Sequence, residues 1–170
     1  NAAHLAARRL IYPALFNAPY ESLTFVDTQF GAGDERGRVL DGQCGVDRII
    51  EVSAGGLRGA LTFTVQGRFR RSHYLADYGN RITVTEWNGA SGQPGELYKV
   101  IADFLVFAFF DEEAEEFQNV SVVDLAILKW MLAWGLIEFS RASNTKGQDY
   151  LEFFLDDLHS AEGRTGVMLR

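Results

Sequence analysis

The spacing of apolar positions along the chain changes between helical and strand periods, and these changes predict the order of its elements. Residues 2–16 have leucine and isoleucine at helical spacing, which predicts a helix ending near Pro13 and Pro19. Alternating and β-branched runs predict strands at 23–30, 45–52, 61–69, 81–87 and 119–124. Longer apolar patterns predict helices at 96–110 and 125–139 and a last amphipathic helix at 149–159.

This order of elements predicts an α/β fold with a mixed central β-sheet flanked by helices. The 170 residues contain no linker that would divide them, so we expect one domain over residues 1–170. We expect its core at about 20–139, followed by the C-terminal helix at 149–159. Hydrophobic residues make up 47% of the chain, which excludes a disordered protein.

Several classes of protein are excluded by what the sequence lacks. A single cysteine, Cys44, excludes a disulfide framework and a multi-cysteine zinc site. The longest apolar run, 104–110, is far shorter than the roughly 20 residues that span a bilayer. The sequence has no phosphate-binding loop, no serine-nucleophile elbow and no paired zinc histidines. We expect a cytoplasmic protein with no membrane partner.

Charge is distributed unevenly along the chain, and this distribution changes what the net charge implies about nucleic acid as a ligand. The formal net charge of −7 argues against nucleic acid as a partner. Residues 36–81, however, carry eight arginines against four acidic side chains, a net of +4, whereas residues 86–162 carry a net of −11. Because arginine binds phosphate bidentately, the basic segment keeps nucleic acid open as a ligand. Such a cluster is equally expected on a solvated strand face.

Polar residues interrupt two neighbouring predicted strands where packing alone would favour apolar ones. Asp47 lies in the otherwise apolar stretch 46–52, and Gln66 and Arg68 lie in the next strand. Because side chains two residues apart in a strand share a face, Gln66 and Arg68 point the same way. Pairing of the two strands as a hairpin would place Asp47 near Gln66, with Arg68 beside them.

Spacing alone leaves two interpretations of this group open. A carboxylate, an amide oxygen and a backbone carbonyl form an oxygen shell that suits Mg²⁺. In that case a neighbouring cation would stabilise the charge on a phosphate under attack. Alternatively, an Asp–Arg pair braces the two strands and the glutamine is a surface residue.

Two segments, Gly45-Val46-Asp47 and, across a hairpin, Gln66-Gly67-Arg68, carry a family resemblance. They resemble the motif of the PD-(D/E)XK nuclease superfamily, which has the restriction-endonuclease-like fold. That motif is an acid on one strand, followed on the next by an acid or glutamine, any residue and a lysine. The later stretches YGNRITVTEW, GQPGELYKVIADFLVFAFF and NVSVVDLAILKWML resemble the rest of the core, so the resemblance covers roughly residues 20–135.

The resemblance implies a role for each matching residue. Asp47 matches the metal-binding acid and Gln66 the second ligand, with Mg²⁺ or Mn²⁺ as the implied cofactor. Arg68 stands where the family has its lysine, and arginine stabilises transition-state charge but does not act as a base. Glu86, on the strand that follows the arginine-rich one, is expected as a further metal ligand. Other carboxylates that could join the site are Glu51, Asp27 and Asp41.

We therefore expect a metal-dependent nuclease that hydrolyses DNA phosphodiester bonds, with Asp47, Gln66 and Arg68 as its catalytic residues. DNA backbone contacts are expected from Arg70, Arg71 and Arg81, and a homodimer is expected where both strands are cut. An alternative is a catalytically degenerate domain of the same fold that binds nucleic acid or supports assembly. The arginine at the lysine position and the segment of net charge −11 favour that alternative. A small-molecule enzyme with an aromatic-lined pocket is a third possibility, which the sequence neither supports nor excludes.

Overall fold

Two β-sheets form the centre of the molecule. The computed structural model describes residues 2–15, 22–28, 35, 38–53 and 58–158. The strands are β1 (Ser22–Asp27), β2 (Arg48–Ser53), β3 (Leu61–Arg71), β4 (Arg81–Asn88), β5 (Gln93–Pro94), β6 (Phe104–Asp111), β7 (Glu116–Asp124), β8 (Ser140–Ser143) and β9 (Gln148–Phe154). The helices are α1 (Ala2–Leu10), α2 (Leu75–Tyr78), α3 (Glu96–Lys99) and α4 (Leu125–Ala133), with 3-10 turns at Tyr12–Leu15 and Ser72–Tyr74 and a π-helical turn at Arg38–Gln43.

The larger sheet has five strands in the order β1-β2-β3-β6-β7. Strands β1, β2 and β3 pair antiparallel, β3 and β6 pair parallel, and β7 returns antiparallel to β6. The smaller sheet has the order β5-β4-β9-β8, and all of its pairs are antiparallel. A mixed five-stranded sheet combined with helices confirms the predicted α/β class.

Helix α1 and the turn after it cover one face of the larger sheet. They bury Ala7, Ile11 and Tyr12. Their partners are side chains on one face of the central strands: Ile50, Val52, Val65, Val106 and Ala108. Because side chains alternate along a strand, Gln66 and Arg68 point to the opposite face from Val65. Burial of the α1 face therefore directs the predicted site residues toward the smaller sheet.

The opposite face of the larger sheet packs against the smaller sheet and α4. Strand β6 contributes Phe107 and Phe109 to this core, and β9 contributes Phe153. Helix α4 adds its buried residues Leu125, Leu128 and Met131. Its first turn is capped by Asp124, whose side chain accepts a hydrogen bond from the Ile127 amide at 3.0 Å. Within the described residues no helix has the length and apolar character of a membrane span.

The predicted helix at 96–110 is wrong. Only residues 96–99 are helical, as α3, and Phe104–Asp111 form strand β6. Residues 105–110 are all buried, because α1 covers one face of β6 and the second core covers the other. A strand covered on both faces shows a continuous apolar run instead of alternation, and its spacing does not distinguish it from a buried helix.

The predicted C-terminal helix at 149–159 is also wrong, and so is the end of the core at 139. Residues 148–154 form β9, which lies between β4 and β8 inside the smaller sheet. Leu151 and Phe153 are buried while their neighbours are half-buried, which is strand alternation. Only residues 155–158 are helical, and His159 lies outside the described residues.

The remaining predicted elements are confirmed with shifted boundaries. The first helix ends at Leu10 and continues as a 3-10 turn to Leu15, so Phe16 falls outside the described residues. The helix predicted at 125–139 ends at Ala133. The five predicted strands correspond to β1, β2, β3, β4 and β7.

Candidate functional site

Asp47 and Gln66 lie opposite each other at the junction of β2 and β3. The backbone amide of Asp47 donates to the carbonyl of Val65 at 2.9 Å, one residue out of the register in which Val65 pairs with Arg48. Gln66 Nε2 donates to Asp47 Oδ2 at 3.0 Å, and the Gly67 amide donates to the same oxygen at 2.7 Å. The predicted proximity of Asp47 and Gln66 is confirmed.

A tight turn before β2 brings a second carboxylate to this position. The π-helical turn at Arg38–Gln43 closes with hydrogen bonds from the Gly45 amide to the Asp41 carbonyl and from the Val46 amide to the Leu40 carbonyl. Gly45 has φ +61°, and a Cβ there would lie 3.1 Å from Gln66 Oε1. Glycine is therefore required, because it alone adopts this conformation without strain and leaves the space that Gln66 occupies.

Asp47 is a buried carboxylate with other acids around it. It is 4% exposed. Burial raises the pKa of Asp47 to about 7. The hydrogen bond from the Gly67 amide lowers this pKa, whereas a hydrogen bond with the Asp41 side chain and the charges of Asp41 and Glu96 raise it. The site therefore retains a proton on Asp47 well above the pH at which an ordinary aspartate ionises.

Arg68 connects the two sheets. Its Nη2 donates to the Glu96 carboxylate and, at 3.4 Å, to Thr85 Oγ1, and its Nη1 donates to the Thr83 carbonyl at 3.2 Å. The Arg68 and Glu96 side chains keep 21% and 24% of their surface exposed. Arg68 is therefore fixed in orientation but still accessible to a ligand.

Glu96 is a site residue that sequence reasoning missed. It begins α3, directly after Gly95, where a Cβ would lie 2.2 Å from the Thr85 carbonyl oxygen. This close approach of α3 to β4 places Glu96 beside Arg68. The glycine before the acid is the local signal, but the contact itself arises between elements distant in sequence.

A polar cleft of about 690 Å³ opens beside the Arg68–Glu96 pair. Lys99 and Thr85 also line it, together with four carboxamide side chains and the turn before α3: Gln43, Asn88, Gln93, Gln148, Ser91, Pro94 and Gly95. Asp47 is buried, so Arg68 and Glu96 are the site members that face this space.

Glu86 does not join Asp47 and Gln66. Its carboxylate accepts hydrogen bonds from Arg141 Nε at 2.9 Å and Nη2 at 3.1 Å, and from the Tyr98 hydroxyl at 3.4 Å. The hydrogen bonds from Arg141 lower the pKa of Glu86. Strand β4 belongs to the smaller sheet, and Thr85 faces Arg68, so the next residue along the strand points away. Glu86 instead lines a separate cavity of about 440 Å³ beside α4.

Two of the three arginines predicted to contact DNA are engaged within the protein. Arg70 donates to Thr83 Oγ1 at 2.8 Å and lies over the rings of Tyr78 and Phe107. Arg81 pairs with Glu152 at 3.3 Å and stacks on Phe154. Arg71, at the end of β3, is exposed.

Of the other carboxylates expected at the site, one lies near Asp47 and one lies far from it. Asp41 is hydrogen-bonded to Asp47. Glu51 is exposed on β2, opposite Thr62, and four residues along a strand separate it from Asp47 by about 13 Å. The side chain of Asp27 lies outside the described part of the structure.

The donor set suits a hard cation with few protein ligands. Within the described ranges there is no group of three or more Asp, Glu, His or Cys side chains that could hold a metal ion. Mg²⁺, however, commonly uses one or two carboxylates and keeps several waters. The carboxylates of Asp47 and Asp41 fit that requirement, whereas Gln66 turns its Nε2 toward Asp47 and its Oε1 toward Gly45.

Comparison of the chain with protein-family models, with curated proteins and with solved structures gives no match. The functional roles of the site residues are therefore inferred from their contacts and charges.

Proposed function

We propose that the chain is a metal-dependent nuclease that hydrolyses DNA phosphodiester bonds. The observation that carries this proposal is the pairing of Asp47 with Gln66 across β2 and β3, with Arg68 two residues further along the same face. An acid on one strand and Gln-x-Arg on the next is the arrangement expected from the resemblance to the PD-(D/E)XK superfamily. The mixed sheet, in which β3 pairs antiparallel with β2 and parallel with β6, supports assignment to the restriction-endonuclease-like fold.

Asp47 and Asp41 would hold Mg²⁺ or Mn²⁺, and Gln66 would join them once its amide turned Oε1, in place of Nε2, toward the ion. When bound, such an ion activates water and neutralises charge on the leaving oxygen. Burial raises the pKa of Asp47, and repulsion from Asp41 and Glu96 adds to the effect. That repulsion supports a cation site, because a bound cation would relieve it.

Arg68 would stabilise the negative charge that develops on the phosphate. Its guanidinium faces the cleft and is oriented by Glu96 and by the Thr83 carbonyl. Because arginine does not release its proton near neutral pH, Arg68 acts as an electrostatic partner and not as a base. Cutting both strands of a duplex would require two such sites, which is the reason to propose a homodimer.

Cleavage of supercoiled and branched DNA in Mg²⁺ or Mn²⁺ tests the proposal. Wild-type protein is expected to cut, and Asp47→Ala is expected to lose at least about 100-fold in rate because a metal ligand is gone. Glu51→Gln is the matched control, since Glu51 lies on the same strand but outside the site. Equal cleavage by wild type and Asp47→Ala would overturn the site assignment.

A catalytically degenerate domain that binds nucleic acid or supports assembly is the second candidate function. The Arg68–Glu96 pair favours it, because the residue at the lysine position is committed to a contact within the protein. This candidate predicts no cleavage and no heat of Mg²⁺ binding, and neither would appear in Arg68→Lys. Activity in wild type or in Arg68→Lys would exclude it.

A further inference from the structure

Two carboxamides lie side by side at one end of the smaller sheet. Asn88 of β4 and Gln148 of β9 are directly opposed in the antiparallel ladder. Both side chains line the cleft that contains Arg68 and Glu96. Their position beside the proposed reaction site makes them candidates for substrate recognition.

The Gln148 amide is held in one orientation. Its Oε1 accepts hydrogen bonds from Asn144 Nδ2 at 2.8 Å and from the Tyr150 hydroxyl at 2.7 Å. Asn144 is itself fixed, because its Oδ1 accepts from the backbone amides of Lys146 at 2.9 Å and Gln148 at 3.0 Å. With its oxygen occupied, Gln148 presents its Nε2 donor to a ligand.

The Asn88 side-chain amide has the same orientation, with its oxygen bonded within the protein. Its Oδ1 accepts from the Ser91 backbone amide at 3.4 Å, and Ser91 Oγ donates to the Asn88 carbonyl at 3.3 Å. The turn that follows β4 therefore directs the oxygen to its own backbone through one long hydrogen bond, and Nδ2 is the donor available to a ligand. Lys99 and Arg68 add only donors to the same cleft, and Glu96 accepts from Arg68.

We propose that Asn88 and Gln148 together read an unpaired nucleobase at its exocyclic group, position 4 of a pyrimidine or position 6 of a purine, favouring the keto bases thymine and guanine over the amino bases cytosine and adenine. This inference rests on the proposed function, which supplies DNA as the ligand. A keto oxygen accepts from an amide N–H, whereas an exocyclic amine would face another donor. The volume of about 690 Å³ suits a nucleotide and not a duplex, so the base enters unpaired or flipped out.

Binding of fluorescein-labelled single-stranded octamers to Asp47→Asn without metal measures this preference independently of cleavage. Thymine and cytosine octamers are the pair compared, because both bases are pyrimidines with a 2-keto group and differ at the 4-keto or 4-amino group, at the N3 hydrogen and in the thymine 5-methyl group. We expect the thymine octamer to bind about tenfold more tightly. Asn88→Ala in the same background should reduce the ratio to within about twofold.

Gln148→Glu gives a sharper test, because Glu keeps an acceptor for Asn144 and Tyr150 but replaces the Nε2 donor by an oxygen. The added negative charge weakens binding of both octamers, so the ratio is compared, and we expect cytosine to bind more tightly than thymine. Gln118→Ala, a carboxamide of β7 in the other sheet, is the control and should keep the wild-type ratio.

The outcomes separate the two proposals. Base reading is overturned if the thymine and cytosine octamers bind equally. It is also overturned if the ratio of their affinities is unchanged in both Asn88→Ala and Gln148→Glu. Either result counts even when wild-type protein cleaves DNA. A second outcome is that wild-type protein cleaves no DNA but prefers the thymine octamer, and that Gln148→Glu reverses this preference. This outcome overturns the proposed nuclease and supports base reading.

Discussion

At the scale of single residues, Asp47 carries a cost to folding, because its carboxylate is buried among other acids. The Asp47 carboxylate is 4% exposed and lies beside Asp41 and near Glu96. It accepts one hydrogen bond from the Gly67 backbone amide and one from the Gln66 side-chain amide. Buried charge without a cation is costly, so this arrangement opposes folding whenever Asp47 ionises. A cost of this kind is expected at a functional site more often than at a structural one.

The contribution of Asp47 to the stability of the protein should therefore fall as pH rises. The pKa of Asp47 is about 7 in the folded protein against 3.8 for an unperturbed aspartate, so the folded protein binds its proton more tightly than the unfolded chain does. Its contribution to stability is complete below pH 4 and is lost as pH rises through 7, by an amount on the order of 2–4 kcal/mol. Denaturant unfolding in a chelator at several pH values measures it.

Asp47→Asn provides the matched variant for that measurement. Asparagine resembles the protonated acid and still accepts from the Gly67 amide, so we expect it to be more stable than wild type at pH 8 but inactive. Glu51→Gln should retain the wild-type pH dependence. A pH dependence of stability that is the same in wild type and in Asp47→Asn would contradict this prediction.

How far the site residues are predictable from sequence depends on how local their contacts are. Asp47 and Gln66 follow from strand parity and hairpin pairing, both of which are readable from spacing. The expectation of Glu86 beside them is wrong because nothing in its local sequence shows that β4 belongs to a second sheet. Glu96 escapes prediction for the related reason that its contact with Arg68 depends on how α3 packs against β4.

At the scale of elements, short-range patterns predict the strands that alternate or carry β-branched runs and fail for strands that show no distinctive period. Strands β1 to β4 and β7 show alternation or β-branched runs. Strand β6, covered on both faces, has six consecutive buried residues and no usable period. Strand β9 has the alternation of Leu151 and Phe153, but its mixture of apolar and acidic residues equally fits an amphipathic helix.

The turn that ends at Gly45 gives a direct test of how an element positions the site. Gly45 and Gly92 have similar conformations, with φ +61° and φ +63°, but a Cβ at Gly92 meets nothing within 4 Å. Both Gly→Ala changes should cost about 1 kcal/mol for the left-handed conformation. Only Gly45→Ala also crowds Val100 and Gln66, so we expect it to cost about 1–3 kcal/mol more and to reduce cleavage.

Thermal and denaturant unfolding of the two alanine variants measures the difference in their free energies of unfolding. Equal losses in both variants would show that the space at Gly45 is unimportant for the position of Gln66. Cleavage rates measured well below the melting temperatures separate a misplaced site from an unfolded one.

At the scale of the whole molecule, the basic segment at 36–81 is less available than its net charge of +4 implies. Arg70 and Arg81 are engaged with Thr83 and Glu152. The basic side chains that line the cleft are Lys99 and Arg68, which is paired with Glu96, and Arg71 is exposed at the end of β3. Affinity is therefore expected to depend less on phosphate contacts than on contacts with the bases.

Salt dependence measures this directly. Three phosphate contacts to a single strand give a slope of about −2 for the logarithm of the association constant against the logarithm of salt concentration. Titrations of the thymine octamer at several NaCl concentrations provide the slope. A slope steeper than about −4 would mean that the DNA contacts a larger basic surface than Arg68, Lys99 and Arg71.

The central claim is that Asp47 belongs to a site for a divalent metal ion, and calorimetric titration of Mg²⁺ at pH 8 tests it most directly. We predict a saturable heat for wild type and for Glu51→Gln, and none for Asp47→Asn. The absence of heat in wild type, or the same heat in Asp47→Asn, would contradict the metal site and with it the proposed nuclease.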